Sequence, residues 1–188
     1  MTVGIVCETA PGERRVAMTP GALAVLNKTN AELLVESGAG VPAGVPDSDY
    51  AGKGLRIAAR ADIFATAEVI LQVRSLGANL EAGRCDLPLM RPGQTVIGFG
   101  EPLTSIDAAR DLAERGVSFL SMELMPRITR AQSMDALSSM ATIAGYKAAL
   151  IAADSLPRMF PMLMTAAGTI APARVFARPA LPATGQGP

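Results

Sequence analysis

Histidine is absent from the 188 residues. This excludes imidazole acid–base catalysis, His metal ligation and every Ser-His or Cys-His nucleophile from the chain. Tryptophan is also absent and aromatics reach only 4%, so a core has to be built from Ala, Val, Leu, Ile and ten Met. No charge of one sign prevails, since 17 Lys plus Arg meet 17 Asp plus Glu. The balance gives no electrostatic drive towards nucleic acid or an acidic membrane surface. The first ten residues, MTVGIVCETA, lack the basic region and long apolar run of a signal peptide. Cys7 and Cys85 are therefore expected as unpaired thiols in a reducing cytosol, and two Cys without His make no zinc site. The longest uncharged run, between Arg158 and Arg174, is broken by Pro161, Gly168 and Pro172 and falls short of a bilayer span, so no direct membrane insertion is expected. Carboxylates, Arg, Lys, hydroxyls or a bound cofactor remain for any chemistry.

What is present is enough for one domain with a real core, or a domain plus a fragment, at 49% hydrophobic content. Residues 2–6 form a β-rich run ending near Glu8, and 9–14 (TAPGER) a polar loop with a Pro-Gly turn. Thr19 as N-cap and Pro20 as first helical residue predict a helix to about Asn27, with Ala22, Leu23 and Leu26 as its apolar stripe. Residues 32–36 (ELLVE) predict a strand. The loop SGAGVPAGVP at 37–46 contains a GAG without the third glycine that a dinucleotide turn requires. Short helices are predicted over 47–53 and 62–66, a weak edge strand over 55–58, and a buried parallel strand over 69–73 (VILQV). After an irregular stretch, 75–92, with a helical turn near 87–90, residues 95–99 (TVIGF) predict a strand. An amphipathic helix over 106–114, stopped by Gly116, and a strand over 117–121 follow. Alternating strands and helices make the fold α/β, with a mostly parallel sheet and right-handed crossovers.

The stretch 122–146, MELMPRITRAQSMDALSSMATIAGY, leaves this last strand, turns through Pro126 and predicts a long helix from Thr129 or Arg130. At about 100° per residue, Met134, Leu137, Ala141, Ala144 and Ala148 share an apolar face expected to pack inward. Gln132, Asp135, Ser138, Ser139 and Thr142 fall on another sector about 120° wide, with Arg127 and Arg130 at the entrance. A polar stripe of this kind is often a solvated face. Here it carries short hydrogen-bonding groups with little rotamer entropy to lose, which suit a neutral amide or a ribose hydroxyl.

Four segments carry a family resemblance: GIVCETAPGERRVAMTP at 4–20, VESGAG at 35–40, MELMPRITRAQSMDALSSMATIAGYKA at 122–148 and MLMTAAGTIAPARVF at 162–176. The chain resembles the N-terminal domain shared by alanine dehydrogenase and the alpha subunit of proton-translocating NAD(P) transhydrogenase, and the third segment has the wording of the transhydrogenase branch. The resemblance implies a Rossmann- or flavodoxin-like three-layer α/β domain over 1–125. A linking long helix and a lead-in to an NAD-binding domain would occupy 126–176, and a disordered tail 177–188. It implies that Arg127 and Ser138 approach the nicotinamide carboxamide and ribose, that Asp135 pairs with and orients Arg127, and that Gln132 lies at the ribose between two nucleotides. Arg127, Gln132 and Asp135 would serve the transfer step, and Ser139 would join the cofactor-binding residues. Hydride would pass between NAD(H) and NADP(H), the latter held by a partner domain, without a proton moving to a protein group; a chain without His can support that step. Transhydrogenase NADP-binding and membrane subunits, and a second copy in a homodimer, are the implied partners. The implied location is cytoplasmic, peripheral to the inner membrane through those subunits.

Alanine dehydrogenase fits less well, because that reaction needs a substrate-binding Lys and a His. The strand that should present the Lys reads LQVRSL, with Arg74, and the next strand and loop, IGFGEPL, carry no His. Arg15 matches the family's N-terminal Arg, and is read as an ion-pair partner of Glu8 or Glu13 or as a carboxylate ligand; Arg74 is read as capping a strand end or covering the cleft. ARVF at 173–176 is expected to begin a strand leading to a dinucleotide turn, yet no GxGxxG occurs in the sequence. The expectation is a partial NAD site and an uncovered apolar face. Two further readings follow, a non-catalytic truncated remnant or interaction module and an alanine-dehydrogenase-like fragment.

Overall fold

The computed structural model describes residues 1–26 and 29–176, with no statement on the side chains of 24 and 25. Asn27, the expected end of the first helix, and the tail from 177 lie outside the described residues.

Six strands form one sheet: β1 (Thr2–Ile5), β2 (Glu32–Glu36), β3 (Arg56–Ala58), β4 (Val69–Arg74), β5 (Thr95–Phe99) and β6 (Ser118–Ser121). Their order is β3-β2-β1-β4-β5-β6 and every pairing is parallel. The sequence expectation of a mostly parallel α/β sheet holds. Helices α1 (Leu23–Leu26), α2 (Asp47–Ala51), α3 (Arg60–Thr66) and α4 (Ile106–Glu114) connect the strands.

The two-residue period of the strands sorts their side chains into two cores. Val3, Ile5, Leu33 and Val35 face one side, where Leu23 of α1 and Tyr50 of α2 close over them. Leu34, Ile70 and Val96 face the other, under Ile63 and Phe64 of α3 and Ala108 and Leu112 of α4. Burial on both faces explains why the central strands are nearly continuous apolar runs. Tyr50 is fully buried, and its hydroxyl donates to the Met18 carbonyl at 2.9 Å, so the core takes the phenol without leaving its oxygen unpaired.

The first helix begins as a 3-10 turn, Pro20–Ala22, with Thr19 at the N-cap and Pro at the first position, but the Thr19 side chain makes no capping bond. Of the expected stripe, Leu23 is buried while Ala22 is exposed.

The chain divides into two compact units, residues 1–137 and 138 onward. The second contains most of the 20-residue helix α5 (Ala136–Ser155) and an antiparallel hairpin, β7 (Leu163–Thr165) with β8 (Gly168–Ile170). The hairpin replaces the expected lead-in: residues 173–176 form no strand. Thr165 sits beside the two-residue turn and its hydroxyl donates to the Gly168 carbonyl, closing the pair locally. No residue of α5 is buried. Among the described residues, α5 is the one helix long and apolar enough to cross a membrane by length and composition. It carries Lys147 near its middle and Asp154 in its last turn, and each such charge is costly in hydrocarbon.

Candidate functional site

In an open parallel sheet, ligands lie beyond the carboxyl ends of the strands where the strand order reverses. Here that point falls between β1 and β4. The loop after β1 crosses it through Glu8, whose carboxylate accepts the N–H of Val73 at 2.6 Å and of Arg74 at 2.9 Å. Burial pushes the Glu8 carboxyl up, against the lowering pull of those two N–H groups. Asn79 donates to Thr9 at 2.8 Å across the same gap. A cavity of about 380 Å³ opens beside these contacts, with Arg74, Asn79, Glu81 and Glu101 on its wall.

An ionic network underlies the β1–β2 end. Arg60 at the start of α3 binds Asp86 through two nitrogens, at 2.7 Å each, and Glu36 at 2.7 Å. Asp86 also accepts from Gln72 at 2.9 Å, and Glu36 from the Cys7 N–H at 2.7 Å. Burial and the neighbouring Glu36 raise the Cys7 thiol to about 11, so it stays protonated at neutral pH. Both cysteines are free, as expected. Arg15 resolves its open alternatives towards Glu13, which it binds through both its Nε and Nη2. That contact, ahead of opposing burial, lowers the Glu13 carboxyl.

The third loop follows β6. A 3-10 turn, Met122–Leu124, places Glu123 where its Oε1 accepts the N–H of Gly100 at 2.9 Å and the N–H of Glu101, while Oε2 accepts the Ser121 hydroxyl. Burial acts to raise the Glu123 carboxyl, but Ser121 and the backbone donors outweigh it and hold the group below its ordinary range. After Pro126 the chain winds tightly: Ile128 N–H meets the Pro126 carbonyl, Ala131 N–H the Ile128 carbonyl, and Asp135 N–H the Gln132 carbonyl. Ala131 is buried, while Arg127, Arg130 and Gln132 are exposed and Asp135 is half-buried.

This winding corrects the single long helix expected from Thr129 or Arg130. Residues Thr129–Met134 are a 3-10 turn, and Asp135 leaves helical geometry at ψ 85° before α5 starts at Ala136. Asp135 thus takes the position where a short polar residue favours a helix start, and α-helical angles cannot be counted across it. Gln132 and Asp135 belong to the wound segment, and Ser138 and Ser139 are exposed in the first turn of α5 in the second unit. The inward apolar face fails as well: Met134 and Leu137 are exposed, and Ala141, Ala144 and Ala148 lie on a helix with no buried residue. Ala-rich composition and its own backbone ladder sustain α5 instead of a buried stripe.

Sequence reading missed Glu123, Glu8 as a bridge, and the Arg60 network. The contact at Gly77 left only a faint signal, its glycine in an irregular loop. A Cβ there would meet the Gly100 carbonyl oxygen at 1.9 Å, and Gly77 has φ +108°. The loops after β4 and β5 therefore touch backbone to backbone.

Residues 4–144 match the family model described as alanine dehydrogenase/PNT, N-terminal domain. The chain belongs to this family. It is 39% identical to NAD(P) transhydrogenase subunit alpha of Cereibacter sphaeroides, over 93% of this chain and 32% of the relative. It is 40% identical to a chain of NAD(P) transhydrogenase subunit alpha from Rhodospirillum rubrum, over 93% of this chain and 46% of that protein. Among solved structures, the transhydrogenase from Sinorhizobium meliloti superposes with a TM-score of 0.84 at 40% identity, over 92% of this chain and 50% of that one. Alanine dehydrogenases are more distant matches. This family member spans about a third to a half of the length of these transhydrogenase relatives.

Proposed function

We propose that this family member contributes the N-terminal-domain side of an NAD(H) site in an NAD(P) transhydrogenase alpha subunit. The observation that carries the reading is the wound segment 127–135. It displays the guanidinium of Arg127 and the amide of Gln132 to solvent while buried Ala131 pins its middle. These neutral and cationic donors fit a carboxamide and ribose hydroxyls, and Asp135 is assigned to orient Arg127. Ser138 and Ser139, on the second unit, are assigned to the nucleotide by sequence. Bound NAD(H) supplies the hydride chemistry; the chain's residues orient the ring for direct exchange with NADP(H) held by a partner domain. Membrane and NADP-binding subunits, with which the transfer is coupled to proton translocation, and a second copy of this chain complete the proposed assembly. The domain scheme assigned from the resemblance, a nucleotide-facing body followed by a linking helix, belongs to this proposal, as does a peripheral place at the membrane through partner subunits.

A non-catalytic interaction module is the second reading. It is favoured by the lack of any GxGxxG turn in these 188 residues to hold a pyrophosphate. NADH titration followed by backbone amide signals separates the two: shifts at 127–139 are expected for the first, and none at millimolar NADH for the second. Mixing with a transhydrogenase NADP-binding domain and assaying NADPH-driven reduction of an NAD analogue then tests turnover.

A further inference from the structure

Glu123 sits inside the chain yet spends its charge on a loop. Its carboxylate fills the concave turn made by the successive N–H groups of Gly100 and Glu101, and Glu101 has the left-handed φ of 46° that aims both donors at one point. Gly100 is buried and Gly77 packs directly on its carbonyl, so the loop receiving the carboxylate cannot drift. Only Leu124, Met125 and Pro126 separate Glu123 from Arg127, and the proline ring fixes one of the intervening torsions. On the far side of Arg127, buried Ala131 is the next fixed point. Arg127 is thus bracketed by two anchors, one of them ionic.

We propose that Glu123 is a positioning residue: by gripping the β5–α4 loop it sets the path of the chain into Arg127 and so the placement of the 127–135 segment against a nicotinamide nucleotide. The placement of the segment stands on the geometry; its consequence for the nucleotide rests on the function proposed above. A charged acceptor is required, because two backbone donors and a hydroxyl converge on it and a neutral amide would bind them about half as strongly.

The test uses the full chain with E123A and E123Q, read by backbone amide resonances with and without NADH. In the free protein, E123A is expected to shift Gly100, Glu101 and also Arg127 to Asp135, leaving the β1 and β2 amides in place; E123Q should move the same residues about half as far. NADH affinity should fall roughly tenfold in E123A and less in E123Q. A merely structural role would lower stability without displacing 127–135 in the folded population. Shifts confined to 100–101 and 121–124 would overturn the proposal. Should E123A not fold, S121A, which removes a single donor, is expected to shift Arg127 to Asp135 in the same direction by less, and silence there would also overturn it. If 127–135 moves but wild-type amides ignore NADH, the nucleotide reading fails while the positioning role stands.

Discussion

Glu8 joins the carboxyl ends of β1 and β4 by accepting the N–H of Arg74, and with its other oxygen that of Val73. The sheet reverses its strand order at this gap, so no strand-to-strand ladder can close it there. Glu8→Ala leaves two backbone donors unpaired and is expected to cost about 1–3 kcal/mol in chemical denaturation. The pH dependence runs opposite to that of an ordinary paired carboxylate. Burial raises the folded-state value, so the native chain takes up this proton before the unfolded chain does. Between the ordinary Glu value and the raised one, the Glu8 contribution to stability falls as pH rises. The stability of wild type relative to Glu8→Gln should therefore increase as pH falls through that window. Denaturation midpoints showing a relative loss on acidification would contradict the assignment.

Arg60 holds Asp86 with a two-pronged bond, and Asp86 is almost wholly buried. Arg60→Ala leaves that carboxylate uncompensated and is expected to cost about 3–5 kcal/mol. Arg60→Lys restores the charge without the planar fork and should recover only part of the loss. Equal stability of the Lys variant and wild type, measured by urea denaturation, would show that the fork geometry contributes nothing.

Gly77 and Gly12 separate strain from collision. Both have positive φ, but a Cβ on Gly12 meets nothing within 4 Å whereas one on Gly77 meets the Gly100 oxygen at 1.9 Å. Gly12→Ala should cost about 1–2 kcal/mol, the left-handed backbone penalty alone. Gly77→Ala adds a backbone displacement and should cost clearly more, with amide shifts at Gly100 and Glu101.

The two thiols should differ in reactivity. Cys85 is exposed, while Cys7 is half-buried and held protonated with its thiol near 11. A maleimide at neutral pH should label Cys85 first, and Cys7 more slowly by about an order of magnitude or more. Mass spectrometry after brief labelling reads this directly.

Arg127 is exposed and its removal should leave folding untouched, within about 0.5 kcal/mol. Under the proposed function, Arg127→Ala should weaken NADH binding by about tenfold or more. Unchanged affinity at unchanged stability would remove Arg127 from the nucleotide.

The sheet is readable in the sequence because parallel strands buried on both faces are continuous apolar runs bounded by turn residues, as in VILQV and TVIGF. The helix over 106–114 is readable from its stripe and Gly116. The segment around Asp135 misleads for a local reason: a 3-10 turn followed by a helix has nearly the composition of one helix, and the break depends on a single ψ. The hairpin escapes a linear reading because MLMTAAGTI carries no strong turn pair, only two alanines, while ARVF has the higher β propensity.

The sequence by itself determined the α/β class, the absence of imidazole chemistry and the family resemblance. Each resides in composition, period or a contiguous motif, which are properties of neighbours along the chain. Only the tertiary structure showed that Glu8 bridges β1 to β4, that Arg60 unites Asp86 with Glu36, and that Glu123 grips Gly100 and Glu101 ahead of Arg127. Those partners lie far apart in sequence. A carboxylate at positions 8 or 123 looks solvent-facing in a linear reading, and acquires its role only when the packed sheet turns backbone N–H groups towards it and removes the water that would otherwise serve.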